Sequence, residues 1–227
     1  RRREGHQISA MSSVIPNIIA IDGPAASGKS TLGQKLAQAL GYLYFDTGVM
    51  YRAITWAALQ RGVDIADEPA ITQLAEIIDI DVRSPSIEDG RAYDVVVDKR
   101  DITWEIRCAE VERYVSPVSA YGGVRKAMSA QQRRIGMRGS VVMVGRDIGT
   151  VVFPDANLKV FLTASPRTRA ERRLSQRGQS VDPAALERET ALLAARDKAD
   201  SSRAVAPLRM AQDALPLDGT NLSFEEQ

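Results

Sequence analysis

The sequence is poor in the residues that most often build disulfides and metal sites. Its 227 residues include one cysteine, Cys108, and one histidine, His6. A single cysteine excludes a disulfide framework and an all-thiolate zinc site. A single histidine, placed in the basic N-terminal segment, argues against Ser–His chemistry and histidine-based metal binding. We interpret Cys108 as an inert, partly buried thiol.

The chain also lacks a strong net charge and a long apolar run. Lys and Arg number 30 against 29 Asp and Glu, a net charge of +1, so no overall field recruits nucleic acid or an anionic membrane. No stretch reaches the roughly 18 apolar residues that a membrane span needs. No apolar region follows the basic start RRREGHQISA, as a secretory signal requires. We therefore expect a soluble, cytoplasmic protein, with Met11 as a candidate natural start.

The chain does contain a regular alternation of short apolar runs and helical patterns. This alternation predicts an α/β fold in which helices flank a parallel sheet. Ligands on such sheets bind beyond the carboxyl ends of the strands. Strands are predicted at 17–22, 42–46, 140–145, 158–163 and 214–218, and helices at about 29–40, 48–61, 104–137, 166–177 and 182–203.

Two regions depart from this alternation. Over 64–103, the short strand-like pieces DIDVR and AYDVVVD are separated by the turn-rich SPSIEDG, which predicts a small antiparallel insert. The Arg-rich region 166–206 predicts a helical hairpin on the surface that can serve as a mobile lid. The remaining chain divides into an N-terminal tail at 1–16 and a core at 17–63, 104–165 and 207–227.

Residues 23–30 read GPAASGKS and match the phosphate-loop pattern G-x-x-x-x-G-K-[ST] at every fixed position. The glycines let backbone N–H groups curl round an anion, and the following helix adds the partial positive charge of its N-terminus. Lys29 is expected to reach the β- and γ-phosphates, and the Ser30 hydroxyl to bind Mg²⁺. The sequence therefore predicts a nucleoside triphosphate held by Gly23, Pro24, Ala25, Ala26, Ser27, Gly28, Lys29, Ser30 and Thr31.

Three classes of protein share this loop: signalling GTPases, ATP-driven motors and kinases of small molecules. A GTPase needs the motifs N-K-x-D and D-x-x-G, and the sequence contains neither. A motor generally needs an apolar strand that ends in acidic residues, whereas VVMVGRD brings Arg146 beside Asp147. An arginine at that position suits a second phosphate better than an attacking water. The kinase class is favoured.

A second anion site is indicated by arginines from separate segments. Arginine outnumbers lysine by 24 to 6, and its planar fork binds phosphate bidentately. DTGVMYR follows the second predicted strand, so Thr47 and Arg52 should lie at the same sheet edge as the phosphate loop, together with Arg146. Arginines that converge in this way are costly unless an anion lies between them. We predict a second phosphate there.

The chain resembles the bacterial cytidylate kinases, a branch of the nucleoside-monophosphate kinase family. The resemblance rests on IDGPAASGKST, DTGVMYRA, GRDIGTVVFPDA, KVFLTAS and SRAVAPL, in family order over 17–224. It implies the P-loop nucleoside-monophosphate kinase fold, with a five-stranded parallel sheet, a small antiparallel insert and a helical lid. It also implies a monomer that uses Mg²⁺ and transfers the γ-phosphoryl group of ATP to CMP or dCMP. The chain departs from the pattern at LSFEEQ, where such enzymes continue into a last helix.

The resemblance further implies an acceptor site. For cytosine, a carboxylate accepts from N4 and a guanidinium donates to N3 or O2, so Asp147 and Arg125 are a natural pair, with Ser116 assisting. Ser116 and Arg125 would lie on opposite faces of an unbroken helix, and a break near Pro117 and Gly122–Gly123 would bring both to one ligand. The implied CMP-binding residues are Thr47, Arg52, Ser116, Arg125, Arg146, Asp147, Arg196, Asp200 and Arg203.

The last three of these residues share one helical face if the helix extends that far. We assign Arg196 to phosphate, Asp200 to ribose hydroxyls and Arg203 to the pyrimidine or phosphate; an ordinary surface salt bridge is the alternative. Arg172 is expected to lie against ATP, although an exposed arginine on a charged helix would look the same. The expected catalytic residues are Lys29, Arg52, Arg146 and Arg196.

Two further functions remain compatible with the residues. One is another small-molecule kinase, acting for example on UMP, AMP or shikimate. The other is a non-catalytic ATP-binding regulator, although such a sensor has no use for acceptor arginines. Binding of nucleic acid through the excess of arginine is disfavoured, because the sequence contains no recognisable module or aromatic stacking platform for it.

Overall fold

A computed structural model of the protein describes residues 15–227. The expected tail at 1–16, which includes His6 and Met11, lies outside the described residues except for its last two positions. The strands are, in chain order, β1 (Ile18–Asp22), β2 (Leu43–Asp46), β3 (Ile80–Arg83), β4 (Asp94–Val97), β5 (Arg100–Asp101), β6 (Val141–Gly145), β7 (Leu158–Thr163) and β8 (Leu215–Asp218). The helices are α1 (Lys29–Leu40), α2 (Gly48–Gln60), α3 (Glu68–Ile77), α4 (Ala109–Ala120), α5 (Gly122–Gly136), α6 (Pro166–Gln176) and α7 (Pro183–Ser201).

A five-stranded parallel sheet with the order β2-β6-β1-β7-β8 forms the centre of the fold. Its central strands β1 and β6 are almost entirely buried, as expected when helices flank a parallel sheet. The α/β prediction is confirmed, and the predicted bounds of the five strands of this sheet differ from the observed bounds by at most one residue. Because β2, β6 and β1 are neighbours, their carboxyl ends bring three separate chain segments to one edge.

The insert contains the predicted antiparallel sheet, with the order β3-β4-β5. It also contains α3, which the sequence analysis missed. The signals for this helix were present: Asp67 caps it by accepting from the Ala70 N–H at 3.0 Å, and a proline lies in its first turn. Its buried residues Ile71, Leu74 and Ala75 follow helical spacing.

The predicted helical region 104–137 is interrupted. A short 3-10 turn at Glu105–Arg107 precedes α4, and Tyr121 separates α4 from α5 with an extended backbone at φ −63° and ψ 124°. The break expected near Pro117 and Gly122–Gly123 therefore lies beside the glycines, whereas Pro117 remains inside α4. The expectation that Cys108 is partly buried was wrong, because it is exposed at the start of α4.

The predicted lid helices α6 and α7 pack against each other and against the segment that follows β1. Ala25 lies with Ala170 and Leu193 in a small buried cluster separate from the main core. The prediction of a helix to 203 was too long, because α7 ends at Ser201 and leaves Arg203 beyond it. Among residues 15–227, none of the helices combines the length and apolar character that crossing a bilayer requires.

Candidate active site

The segment between β1 and α1 has the geometry that its glycines predict. A Cβ atom on Gly23 would lie 2.0 Å from the carbonyl oxygen of Leu162, so no larger residue fits. Gly28 precedes α1 with φ +101°, a conformation that glycine adopts without strain. The N-terminus of α1 therefore opens directly on this phosphate loop, where its free N–H groups and dipole favour an anion.

Lys29 is buried at the start of α1 with its ammonium group turned back into the loop. Its Nζ donates to the Pro24 carbonyl at 2.6 Å and to Ser27 Oγ at 3.4 Å. Burial, and then the charge of Arg146, hold the pKa of Lys29 below its ordinary value. The charge of Arg146 therefore acts directly on the phosphate loop, as expected if donor and acceptor sites adjoin.

The carboxyl end of β2 adds an acid that the sequence analysis did not single out. Asp46 Oδ2 lies 3.4 Å from Ser30 Oγ, and Asp46 Oδ1 accepts from the Gly48 N–H at 3.0 Å. Thr47, the next residue, is buried and its hydroxyl donates to the Val144 carbonyl at 3.0 Å. Asp46 could have been suspected because it is the first acid after a strand that ends at this edge.

A buried ion pair joins α5 to the loop after β6. Arg125 NH2 lies 3.1 Å from Asp147 Oδ1, and the two side chains are 3% and 7% exposed. Burial raises the pKa of Asp147, opposed chiefly by the charge of Arg125. Arg125 also donates to the Ser119 carbonyl at 3.2 Å and lies over the ring of Tyr51. The two residues predicted to bind cytosine together therefore lie side by side.

Each partner of this pair keeps one buried polar atom without a hydrogen bond in residues 15–227: Arg125 Nε and Asp147 Oδ2. A buried polar group left unpaired costs about 1–3 kcal/mol. One free acceptor beside a guanidinium matches the donor and acceptor edge of cytosine. Both atoms are therefore available to hydrogen-bond a polar ligand.

Ser116 is placed differently from its predicted partners. It is exposed on α4, and the contacts of the described residues do not include one between its side chain and Arg125 or Asp147. The break at Tyr121 brings Arg125 to Ser119, one turn further along α4. An assisting role for Ser116 remains a prediction.

Asp200 links the end of α7 to the predicted acceptor site. It is buried, accepts from Arg146 Nε at 2.9 Å, and also pairs with Arg203. Arg203 lies just beyond the end of α7 and reaches Asp200 as a local i,i+3 neighbour, so both arginines contact the same carboxylate. Three predicted acceptor residues therefore lie together.

Arg52 pairs with Glu112, a residue of α4 that the sequence analysis did not select. A second and longer contact of Arg52 is made by NH1, which donates to the Ile106 carbonyl at 3.5 Å. Arg196 lies on α7, where desolvation, and then the charge of Arg146, lower its pKa; the charges of Asp200, Glu112 and Arg52 also act on it. The three arginines predicted for phosphate transfer thus share one charged neighbourhood.

Helix α6 contacts the phosphate loop through two of its arginines. Arg172, predicted to lie against ATP, donates to the Ser27 carbonyl at 3.1 Å and to the Gly219 carbonyl at 2.6 Å. Arg169, which the sequence analysis missed, is buried and donates to the Ala25 carbonyl at 3.1 Å and to Asp197 at 2.6 Å. Nothing in the local sequence distinguishes Arg169 from its neighbours.

Asp22, also missed, ends β1 just before the phosphate loop. Its carboxylate accepts from the N–H groups of Ile148 and Gly149 at 2.9 and 2.7 Å. Burial raises its pKa to about 6. Asp22 therefore fixes the segment that carries Asp147 against the strand that carries the donor loop. An acid at the end of an apolar strand was the available signal.

Comparison with known proteins points to one family. The family model described as "Cytidylate kinase" matches residues 19–227. The chain is 55% identical over 188 residues to a cytidylate kinase of Chloroflexus aggregans, covering 82% of this chain and 81% of the relative. It is 46% identical over 211 residues to a cytidylate kinase of Bacillus velezensis, covering 92% and 91%.

Proposed function

The chain belongs to the cytidylate kinase family, and we propose that it transfers the γ-phosphoryl group of ATP to CMP and dCMP, giving CDP and dCDP. The family relationship does not favour the two alternatives, another small-molecule kinase or a non-catalytic ATP-binding regulator. The main support for the proposal is the buried Arg125–Asp147 pair beside a phosphate loop, with one acceptor and one donor that have no partner among residues 15–227.

The base specificity follows from this pair. Asp147 Oδ2 is free to accept from the N4 amino group of cytosine, and Arg125 can donate to N3 or O2. Uracil carries an oxygen in place of the amino group, so the carboxylate would face another acceptor. A site built around a buried hydrogen bond rejects the analogue that leaves it unpaired. CMP and dCMP should therefore be preferred to UMP.

We assign the ribose and the phosphate of CMP to the side of the pocket that faces the proposed lid, 166–206. The Asp200 carboxylate, already held by Arg146 and Arg203, is suited to accept from ribose hydroxyls. Arg52, Arg146 and Arg196 would bind the acceptor phosphate and the transferring group, since guanidinium forks match phosphate oxygens. Thr47 and Ser116 complete the proposed acceptor set.

On the donor side, the loop from Gly23 to Thr31 would hold the phosphates of ATP, and Lys29 would turn from the Pro24 carbonyl toward them. Arg172, which already bridges the Ser27 and Gly219 carbonyls, would lie against the nucleotide. Asp22 and Arg169 would act as positioning residues, because their contacts are with the backbone that frames the site.

Ser30 and Asp46 fit a magnesium ion that arrives with ATP. Their side-chain oxygens lie 3.4 Å apart at the exposed mouth of the loop, and hydroxyl and carboxylate oxygens are the ligands that Mg²⁺ prefers. We propose that Ser30 binds the ion and that Asp46 orients its shell. The ion would supply neutralisation of charge on the phosphate oxygens.

The transfer itself requires little from acid–base groups. A phosphate oxygen of CMP is ionised at neutral pH and can attack without a general base. The residues instead align acceptor and donor in line and neutralise the spreading negative charge. Water must be excluded, because otherwise ATP would be hydrolysed. We propose that 166–206 acts as a lid that closes over bound nucleotides, while 64–103 is the nucleoside-monophosphate-binding insert on the core of 17–63, 104–165 and 207–227.

We further propose that the protein acts as a cytoplasmic monomer. The coupled release of ADP from Mg-ATP, measured with CMP, dCMP, UMP and AMP as acceptors, tests the proposed function. A strong preference for CMP and dCMP is expected. Preference for UMP or AMP would keep phosphoryl transfer but contradict the base-reading role of Arg125 and Asp147. No turnover with any acceptor would favour the regulator.

A further inference from the structure

Glu112 places a carboxylate where the proposed function requires the phosphate of the acceptor nucleotide to bind. It lies in the first turn of α4 and pairs through Oε2 with NH2 of Arg52. The hydrogen bond from Arg52, and the charges of Arg52, Arg173 and Arg196, lower the pKa of Glu112. The group is therefore ionised at neutral pH and lies among arginines assigned to the acceptor phosphate.

The pair differs from the other ion pairs of the pocket in its exposure. The Glu112 side chain is 58% exposed and that of Arg52 is 29% exposed, whereas Asp147 and Asp200 are 7% and 4% exposed. A buried carboxylate cannot leave its partner without a large cost. An exposed one can exchange its arginine for water with little loss. Glu112 is the carboxylate best able to move away.

We propose that Glu112 is a resident counter-ion that competes with the acceptor phosphate for Arg52. This inference rests on the proposed function, in which Arg52 binds the phosphate of CMP. Without substrate, Glu112 neutralises Arg52 and limits the repulsion between converging arginines. On binding, the phosphate takes the guanidinium and Glu112 turns to solvent. Acceptor affinity is then reduced by the fraction of protein in which Arg52 is still paired with Glu112.

If Glu112 instead positioned Arg52 for phosphate binding, its removal would change acceptor binding in the opposite direction. If Glu112 held Arg52 in position while phosphate bound to the remaining N–H groups, its removal would lower kcat and weaken acceptor binding. Competition predicts the reverse: removal strengthens acceptor binding and leaves kcat nearly unchanged. The sign of the change in KM for CMP therefore separates the two roles.

The test compares Glu112→Gln with Glu110→Gln. Glu110 lies in the same first turn, and no ion pair of it is found in residues 15–227, so its variant controls for lost charge at a helix N-terminus. We expect Glu112→Gln to lower KM for CMP by about two- to fivefold at low salt, the scale of an exposed ion pair. Inorganic phosphate, used as a competitive inhibitor against CMP, should inhibit this variant more strongly by a similar factor.

Two further measurements make the test specific. Cytidine lacks the phosphate, so its affinity in calorimetric titration should be the same for wild type and Glu112→Gln. The gain in CMP affinity should shrink at high salt, which screens an exposed pair. A rise in KM, a fall in kcat, or an equal gain for cytidine would overturn the proposal. Equal melting temperatures of both variants would show that folding is not the cause.

Failure of the proposed function would be visible separately. If wild type fails to turn over CMP but binds it, titration of CMP into wild type and Glu112→Gln still measures the competition. If CMP does not bind, inorganic phosphate titrated into the two proteins decides the matter. Tighter phosphate binding by the variant supports competition at Arg52, and unchanged binding contradicts it.

Discussion

Replacing Asp147 with asparagine should change which pyrimidine the pocket accepts. The substitution keeps the size of a side chain that is 7% exposed and lies 3.1 Å from Arg125 NH2. An amide in this place would keep its oxygen toward the guanidinium, because only the oxygen can accept. Its NH₂ group would then occupy the position of Oδ2, the atom without a partner in residues 15–227. A donor would replace the acceptor proposed for N4 of cytosine.

The size of the effect follows from the lost hydrogen bond. A hydrogen bond to a charged group contributes about 1.5–3 kcal/mol, and each 1.36 kcal/mol is a factor of ten in rate. We therefore expect kcat/KM for CMP to fall by about 10- to 150-fold. Uracil presents an acceptor at the same position and should gain, so that the ratio of UMP to CMP activity rises by more than the loss on CMP alone.

The assay is coupled ADP release with each acceptor, at saturating ATP and then with ATP varied. Because the substitution also weakens a buried ion pair, melting curves must show that the variant is folded under the assay conditions. Asp155→Asn is a suitable control, since it changes an acid 65% exposed in the same GRDIGTVVFPDA segment. An equal rise in KM for ATP and CMP, or a UMP to CMP ratio that does not increase, would refute the reasoning.

Three other perturbations test neighbouring parts of the structure. Gly23→Ala should abolish ATP binding and lower the melting temperature, because its Cβ would lie 2.0 Å from the Leu162 carbonyl oxygen. Gly41→Ala meets no atom of residues 15–227 within 4 Å and should cost only the strain of its left-handed backbone, φ +67°, about 1–2 kcal/mol. As burial raises the pKa of Asp22 from 3.8 to about 6, the unfolded chain loses this proton first. The free energy of unfolding should then fall by up to ~3 kcal/mol from about pH 4 to 6, a decline absent from denaturant titrations of Asp22→Asn. Amide exchange over 166–206 should slow when CMP and a non-hydrolysable ATP analogue are both bound, and an unchanged pattern would count against a closing lid.

Most of the parallel sheet could be predicted from the sequence, because the strands are short, apolar and separated by helical patterns. β1 and β6 are buried along nearly their whole length, so their composition is distinctive. The phosphate loop was equally readable, since Gly23 and Gly28 are required by backbone geometry. By contrast, α3 was missed although its cap and spacing were visible. The turn-rich segment SPSIEDG, which follows it, favoured a prediction of short strands for the whole insert.

Other features of the site depend on contacts between distant parts of the chain. Glu112 meets Arg52 across 60 residues, and Arg169 meets Ala25 across 144. No regular spacing in the sequence indicates that these residues are in contact. Arg146 likewise meets Asp200 across 54 residues, whereas Arg203 reaches Asp200 as a local i,i+3 pair. Sequence patterns located the segments of the site, but the partners within it are set by how those segments pack.

Burial divides the proposed acceptor site into fixed and exchangeable parts. Asp147 and Asp200 are almost fully enclosed and are held by arginines before any ligand binds. Since moving a buried charge away from its partner is costly, these carboxylates are set in place for base and sugar. The phosphate end is different, because Glu112 and Arg52 are both partly in water. Selectivity among nucleosides should therefore change with substitutions at Asp147 or Asp200, whereas a change at Glu112 should alter the affinity for every acceptor phosphate by the same factor.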